Sequence, residues 1–285
     1  MWILFAVSSA VFAGLTAVIA KMGIKDVDSD VAIAVRTTVV LIFSGIMVFM
    51  TKGYTSEISG RSFIFLILSG IATGLSWICY FKALQIGDVN KVAPIDKSST
   101  VLTIILAFIF LGERLTPEKT AGIILIGIGT YMMITRKKEV KESAAGSRWL
   151  YYAMFSAIFA SLTSILGKIG ITGIESNYGT AIRTAVVLLM SWIIVFMKKR
   201  QTGLKKIDRK SMIFLCISGV TTGLSWLSYY RALQDGEASV VVPVDKSSII
   251  VTVVFSYIIF KEKLTGKAFI GLCGIVSGTL LMLFR

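Results

Sequence analysis

The chain has no histidine, only three cysteines and three prolines in 285 residues, and just 16% charged residues. Each scarcity excludes something. Without histidine, imidazole proton relays and His-based zinc sites are ruled out. Cys79, Cys216 and Cys273 lie inside apolar stretches and have no counterpart cysteines in the repeat described below, so they read as small packing residues. No metal and no cofactor are expected. A Gly-rich Walker-type phosphate loop is also missing, so ATP-driven transport by this chain alone is not expected. An intramembrane enzyme would need a nucleophile close to a base, and no such pair stands out. The reading is therefore not an enzyme. Soluble domains carry roughly a quarter charged residues, so 16% against 55% apolar points to a chain solvated mainly by lipid.

What is present is long apolar runs. Ten segments of membrane-crossing length fall near 2–20, 31–50, 63–85, 89–111, 119–135, 149–167, 178–197, 212–234, 238–260 and 267–284. Short polar joints such as TKGYTSEISGR and KKRQTGLKKIDRK separate them. Helices are expected throughout, because hydrocarbon leaves no unpaired backbone group satisfied and the alternation of a barrel is lacking. The first segment is not a signal peptide, since it has no basic n-region and an equivalent run recurs in mid-chain. The formal charge of +14 sits at span ends and in two loops, which suits anionic lipid headgroups rather than nucleic acid.

The chain repeats itself. RTTVVLIFSGIMVFM from residue 36 matches RTAVVLLMSWIIVFM from 183 at ten of fifteen positions, and SGIATGLSWICYFKALQ from 69 matches SGVTTGLSWLSYYRALQ from 218 at eleven of seventeen. Two five-span units follow, 1–138 and 149–285, joined by a charged linker over 139–148. Five is odd, so the second unit must enter the membrane from the opposite side, as in inverted-repeat transporters. The expected fold is all-α, with ten transmembrane helices as a 5+5 inverted repeat around a central cavity. Loops after the odd-numbered spans hold 19 Lys and Arg against 7 in the other loops and the C-terminus, which by charge alone puts both termini outside the cytoplasm.

Charges inside the spans are the candidate functional residues. APIDKSS at 93–99 and VPVDKSS at 242–248 place Asp96 with Lys97 and Asp245 with Lys246 within the fourth and ninth spans. Asp96, Ser99 and Thr103 share a helical face, as do Asp245, Ser248, Thr252 and Ser256, with the lysines offset by about 100°. An aspartate at that depth needs water, a partner or a proton. Arg36 and Arg183 open the second and seventh spans. By parity Arg36 belongs at one mouth with Asp96 and Lys97, and Arg183 at the other with Asp245 and Lys246. Pro94 and Pro243 are expected to loosen or break the helices just before these motifs. Trp77 with Tyr80, and Trp226 with Tyr229, lie mid-span, where they either wall a substrate cavity or pack helices. Lys21, Lys82, Lys168 and Arg231 sit nearer span ends, as anchoring residues would.

Two five-span copies, each with a proline in the fourth span and an acidic motif at that span's end, resemble the EamA family of the drug/metabolite transporter superfamily. The clearest stretch is FLGERLTPEKTAGIILIGIGTYMM at 110–133; FKEKLTGKAFIGLCGIVSGTLLM from 260 keeps the glutamate but replaces the preceding LG. The chain is similar to a fused duplication of half-size five-helix bacterial and archaeal members. The resemblance implies a ten-helix basket moving small metabolites, often amino acids outward, without ATP. It also implies cytoplasmic termini, against the charge count. The quaternary-amine branch carries a carboxylate in its first span, and neither the first nor the sixth span has one here. The expectation is a monomeric secondary exporter of small polar or zwitterionic metabolites in the cytoplasmic (inner) membrane, with Asp96 and Asp245 as contacts either for a coupling proton or for the substrate amine. Broad drug or cation efflux, a passive channel and a non-transporting scaffold are the alternatives.

Overall fold

The computed structural model describes residues 1–23, 27–52, 58–86, 95, 98–133, 148–261 and 265–283. These form helices α1 (Trp2–Gly23), α2 (Ser29–Thr51), α3 (Gly60–Ile86), α4 (Ser99–Leu111), α5 (Pro117–Met133), α6 (Arg148–Gly170), α7 (Ser176–Met197), α8 (Arg209–Asp235), α9 (Ala238–Lys246), α10 (Ser248–Phe260) and α11 (Gly266–Leu283). A 3₁₀ turn over Gln201–Lys206 lies between α7 and α8. Among the described residues eight segments are long and apolar enough to cross a membrane, α9 and α10 counting as one, and α4 is a shorter apolar helix. Large apolar side chains such as Ile42, Phe49, Leu189, Ile193 and Phe196 stay exposed. In water they would form an aggregating surface, whereas lipid solvates them without cost.

The polar joints end the helices in identifiable ways. Asp28 caps α2 by accepting from the Asp30 N–H at 3.0 Å, and Glu175 caps α7 by accepting from the Tyr178 N–H at 3.0 Å. Asp208 caps α8 through the N–H groups of Lys210 and Ser211, and these bonds, with that of the Ser211 side chain foremost, hold its carboxyl below the usual carboxylate range. Gly112 closes α4 at φ 66°, a left-handed conformation that glycine adopts without strain.

The chain divides into two compact units, each drawing on both sequence copies. The first comprises Met1–Ile71, Leu166–Gly236 and Ser248–Lys261. In it α1 packs on α8 and α10, α2 on α7 and α8, and α7 on α8. The second comprises Ala72–Ile165, Glu237–Ser247 and Glu262–Arg285, with α5 packed on α11 and α9 on α4, α5 and α11.

Within each unit the repeat is inverted. Helices α2 and α7 are the same stretch of the two copies, and they lie antiparallel. Asp30 at the start of α2 accepts from Lys198 just past the end of α7 at 2.8 Å, while Asn177 at the start of α7 reaches Thr51 at the end of α2 at 3.5 Å. In the second unit, α5 and α11 are likewise equivalent and antiparallel. Gly122 lies against Gly278 and Met282, and Gly129 against Gly271 and Ile275, each contact the mirror of the other. The absent side chains are what permit this approach, since a Cβ at Gly129 would stand 2.5 Å from the Gly271 carbonyl oxygen.

The same mirror relation governs polar contacts. In the first unit the Ser225 hydroxyl donates to the Ser9 carbonyl at 3.1 Å; in the second the equivalent Ser76 hydroxyl donates to the equivalent Ser156 carbonyl at 3.1 Å. Span 3 of one copy therefore meets span 1 of the other, twice over.

Candidate functional site

The ninth span, expected over 238–260 with a helix break at Pro243, is interrupted just beyond that proline. Helix α9 stops at Lys246 and α10 starts at Ser248. Pro243 lies inside α9 and brings no N–H to the ladder. Its own carbonyl and that of Val244 both take the Ser247 N–H at 3.1 Å, and the Ser247 hydroxyl donates to the Val244 carbonyl at 2.6 Å. This tightened last turn carries Asp245, half-buried, and Lys246, exposed. Ser248 then opens α10. The first-copy residues Pro94, Asp96 and Lys97 lie outside the described residues. Ser99 and Thr103 are buried in α4, where the Thr103 hydroxyl donates to the Ser99 carbonyl at 2.8 Å. Thr252, its counterpart in α10, reaches the Ser248 carbonyl at 3.1 Å and the Gly14 carbonyl of α1 at 3.4 Å.

The start of α9 is held by residues to which the sequence reading gave no role. Glu113 accepts from the Ala238 N–H at 2.7 Å and the Ser239 N–H at 2.9 Å, satisfying two of the four donors a helix start leaves open. A carboxylate there also meets the positive end of the helix dipole. Lys119 is buried, pairs with Glu237 and donates to the Arg114 carbonyl at 3.1 Å. The stretch GERLTPEK is thus a clamp on the short helix that carries Asp245. The signal lay in the stretch itself, but its target sits 125 residues further along the chain.

The two span-opening arginines occupy equivalent places in the first unit. Arg183 is 2% exposed. Its Nε donates to the Ser69 hydroxyl at 3.3 Å, and the guanidinium carbon lies 4.5 Å from the Tyr230 ring centroid and 5.1 Å from that of Trp226. Two aromatic faces and a hydroxyl shelter the charge. Arg36 donates through Nη2 to the Thr222 hydroxyl at 2.9 Å. Arg183 falls in the first unit, Asp245 and Lys246 in the second.

The aromatic candidates separate. Trp226 presents its face to Arg183, together with Tyr230, which the sequence reading did not single out; the first copy has Phe81 in its place, hiding the pattern. Tyr229 is half-buried and meets Tyr230 edge-on at 5.1 Å and 85°. Tyr80 packs beside Ala83 and Ala153 with Ile95 and Trp149, and Trp77 is half-buried in α3. Among the anchoring residues, Lys168 instead donates to the Gly236 carbonyl, while Arg231 pairs with Asp235 at 3.3 Å and lies 6.0 Å from the Phe5 ring.

A profile of the EamA-like transporter family matches residues 1–135 and again 147–284, one match per repeat. The chain belongs to the EamA-like transporter family. This EamA-like chain is 44% identical over 134 residues to a protein named "Uncharacterized transporter in cobO 3'region" from a Sinorhizobium species, a match covering 46% of this chain and 95% of that protein. It is 30% identical over 146 residues to "Uncharacterized transporter YvbV" of Bacillus subtilis, covering 50% of this chain and 48% of that one, so it spans about half the length of that relative. A solved structure described only as a crystal structure of a protein superposes with a TM-score of 0.83 over 99% of this chain and 98% of its own, at 14% identity, which speaks to fold alone. The EamA-like chain is therefore a multi-pass membrane protein of transporter type.

Proposed function

We propose that the protein is a secondary transporter of the cytoplasmic membrane that exports small polar or zwitterionic metabolites, amino acids foremost, by alternating access as a monomer. The observation that carries this reading is the pairing of inverted, mirror-related helices with charges of both signs inside the spans. Inverted copies supply two conformations of near-equal energy, one facing each side. Charged side chains within a span are costly and mark solute or ion pathways. Asp245 and its counterpart Asp96 serve as contacts for the substrate amine or for a coupling proton. Arg36 and Arg183, with Lys97 and Lys246, serve as carboxylate contacts or gate partners. Trp77, Tyr80, Trp226 and Tyr229 line the path, with Ser99 and Ser248 as hydroxyl contacts. Charges of both signs inside the spans favour a zwitterion over a lone cation, and neither the first nor the sixth span holds the carboxylate of a quaternary-amine carrier.

The test is counterflow of labelled amino acids in proteoliposomes loaded with unlabelled ones. Saturable exchange is expected, with Asp245→Asn and Asp96→Asn each lowering its rate about tenfold or more, the worth of one charge-assisted contact. Exchange at the wild-type rate in both variants removes the aspartates from the mechanism. Unsaturable flux indicates a channel and no flux a scaffold.

A further inference from the structure

The mirror relation that governs the helix contacts does not extend to the two span-opening arginines. Ser69 and Ser218 are equivalent, as are Arg183 and Arg36, and the backbones around them are equally close: a Cβ on Gly70 would stand 2.9 Å from the Arg183 carbonyl oxygen, and one on Gly219 3.0 Å from the Arg36 carbonyl oxygen. Yet the Arg183 Nε to Ser69 hydroxyl bond is made, at 3.3 Å, and its mirror is not. Arg36 Nε and Ser218 Oγ are both sealed from solvent, and neither meets a hydrogen-bond partner among the described residues. Arg36 also has no carboxylate within ion-pair distance among those residues, whereas Arg183 is sheltered by Trp226 and Tyr230.

We propose that Arg36, with Ser218 and Thr222, forms a binding subsite for a single carboxylate, and that Arg183 is its closed, self-satisfied mirror. Buried donors left unpaired cost free energy, and a guanidinium inside a span needs a counter-charge. A carboxylate supplies both, accepting from Arg36 Nε with one oxygen while the other takes the Ser218 hydroxyl. One positive charge balances one negative charge, so a dianion would leave an excess buried in the span. The Thr222 hydroxyl, which donates to the Ser218 carbonyl at 2.7 Å and accepts from Arg36, fixes the orientation of the guanidinium.

The inference rests on the transport reading for its ligand class, and its test uses binding rather than transport. The purified full chain is titrated with sodium acetate against sodium chloride at equal ionic strength, and apparent stability is followed by thermal unfolding, since a ligand of the folded state raises it. Acetate is expected to stabilise saturably. Arg36→Gln removes the effect; where that variant does not fold, Arg36→Lys is expected to weaken affinity about tenfold, and Ser218→Ala about threefold. The mirror substitution Ser69→Ala is expected to leave acetate affinity within about twofold, as no ligand bond is lost. No acetate effect in the wild type, wild-type affinity in Arg36→Lys and Ser218→Ala, or an equal loss in Ser69→Ala, each overturns the subsite. Amino-acid counterflow run beside it separates the two readings. Acetate binding at Arg36 without counterflow leaves the subsite and removes the transport reading; counterflow unaltered in Arg36→Lys does the reverse.

Discussion

Glu113 is nearly buried, and its two carboxylate oxygens are both committed to N–H groups of α9. Replacing it by alanine leaves those donors facing a protein interior without acceptors. Hydrogen bonds to a charged acceptor are each worth about 1.5–3 kcal/mol, so losing both is expected to make Glu113→Ala cost about 3 kcal/mol or more. It would appear as a lower apparent melting temperature of the purified protein, with Glu113→Gln intermediate because an amide oxygen replaces only one acceptor. Equal stability in all three proteins would mean that water serves the helix start just as well. At this scale, charge inside an apolar run was the readable signal, and it picked out Arg36, Arg183 and Asp245 from sequence. The partners of the two arginines were not readable: Ser69 and Thr222 are ordinary hydroxyl residues of span 3 in one copy or the other, and Tyr230 stands where the first copy has phenylalanine. A side chain's partner depends on tertiary approach, and residue type carries little of that.

Helices in hydrocarbon gain little from hiding apolar surface, so close contact must come from small residues that let backbones approach. The α5 and α11 pair separates packing glycines from idle ones. A Cβ on Gly129 would meet the Gly271 carbonyl oxygen at 2.5 Å and the Ile275 nitrogen at 2.8 Å, backbone atoms that cannot rotate aside, while a Cβ on Gly127 meets nothing within 4 Å. Gly129→Ala is therefore expected to force the helices apart and lower the apparent melting temperature. Gly127→Ala should leave it unchanged or raise it, since alanine favours helix over glycine by about 0.8–1 kcal/mol. Equal behaviour of the two variants would show that α5 and α11 do not meet through this face. Span positions were legible because hydropathy is a local property. The proline marked a break in this span, but its place at Ser247 was not legible, because the site of the bend follows from how the carbonyls of Pro243 and Val244 are re-satisfied.

Inversion was readable from the parity of five spans, and the antiparallel α2 and α7 display it in a single helix pair. The composition of the two compact units was not readable, because each interleaves both copies. The α2 and α7 pair is also polarised. One end is clamped by ions, with Lys198 on Asp30 at 2.8 Å and Arg200 on Asp28, whereas at the mirror end the contact among the described residues is the neutral Asn177 to Thr51 one at 3.5 Å. The ionic end adjoins the segment 198–210, where Lys and Arg number seven. Helix α7 runs 22 residues, about 33 Å at 1.5 Å per residue, enough to put its two ends on opposite faces of a bilayer core of about 30 Å. By the positive-inside rule the ionic end is expected in the cytoplasm and both chain termini outside, against the cytoplasmic termini that the sequence resemblance implied. Single cysteines at the exposed positions Thr202 and Thr172, in a background with Cys79, Cys216 and Cys273 replaced by alanine, read this directly. In intact cells a membrane-impermeant maleimide is expected to label Thr172→Cys and to spare Thr202→Cys until the membrane is permeabilised. The reverse pattern would put the seven basic residues outside and the termini within, and would show that family topology overrides loop charge in this chain.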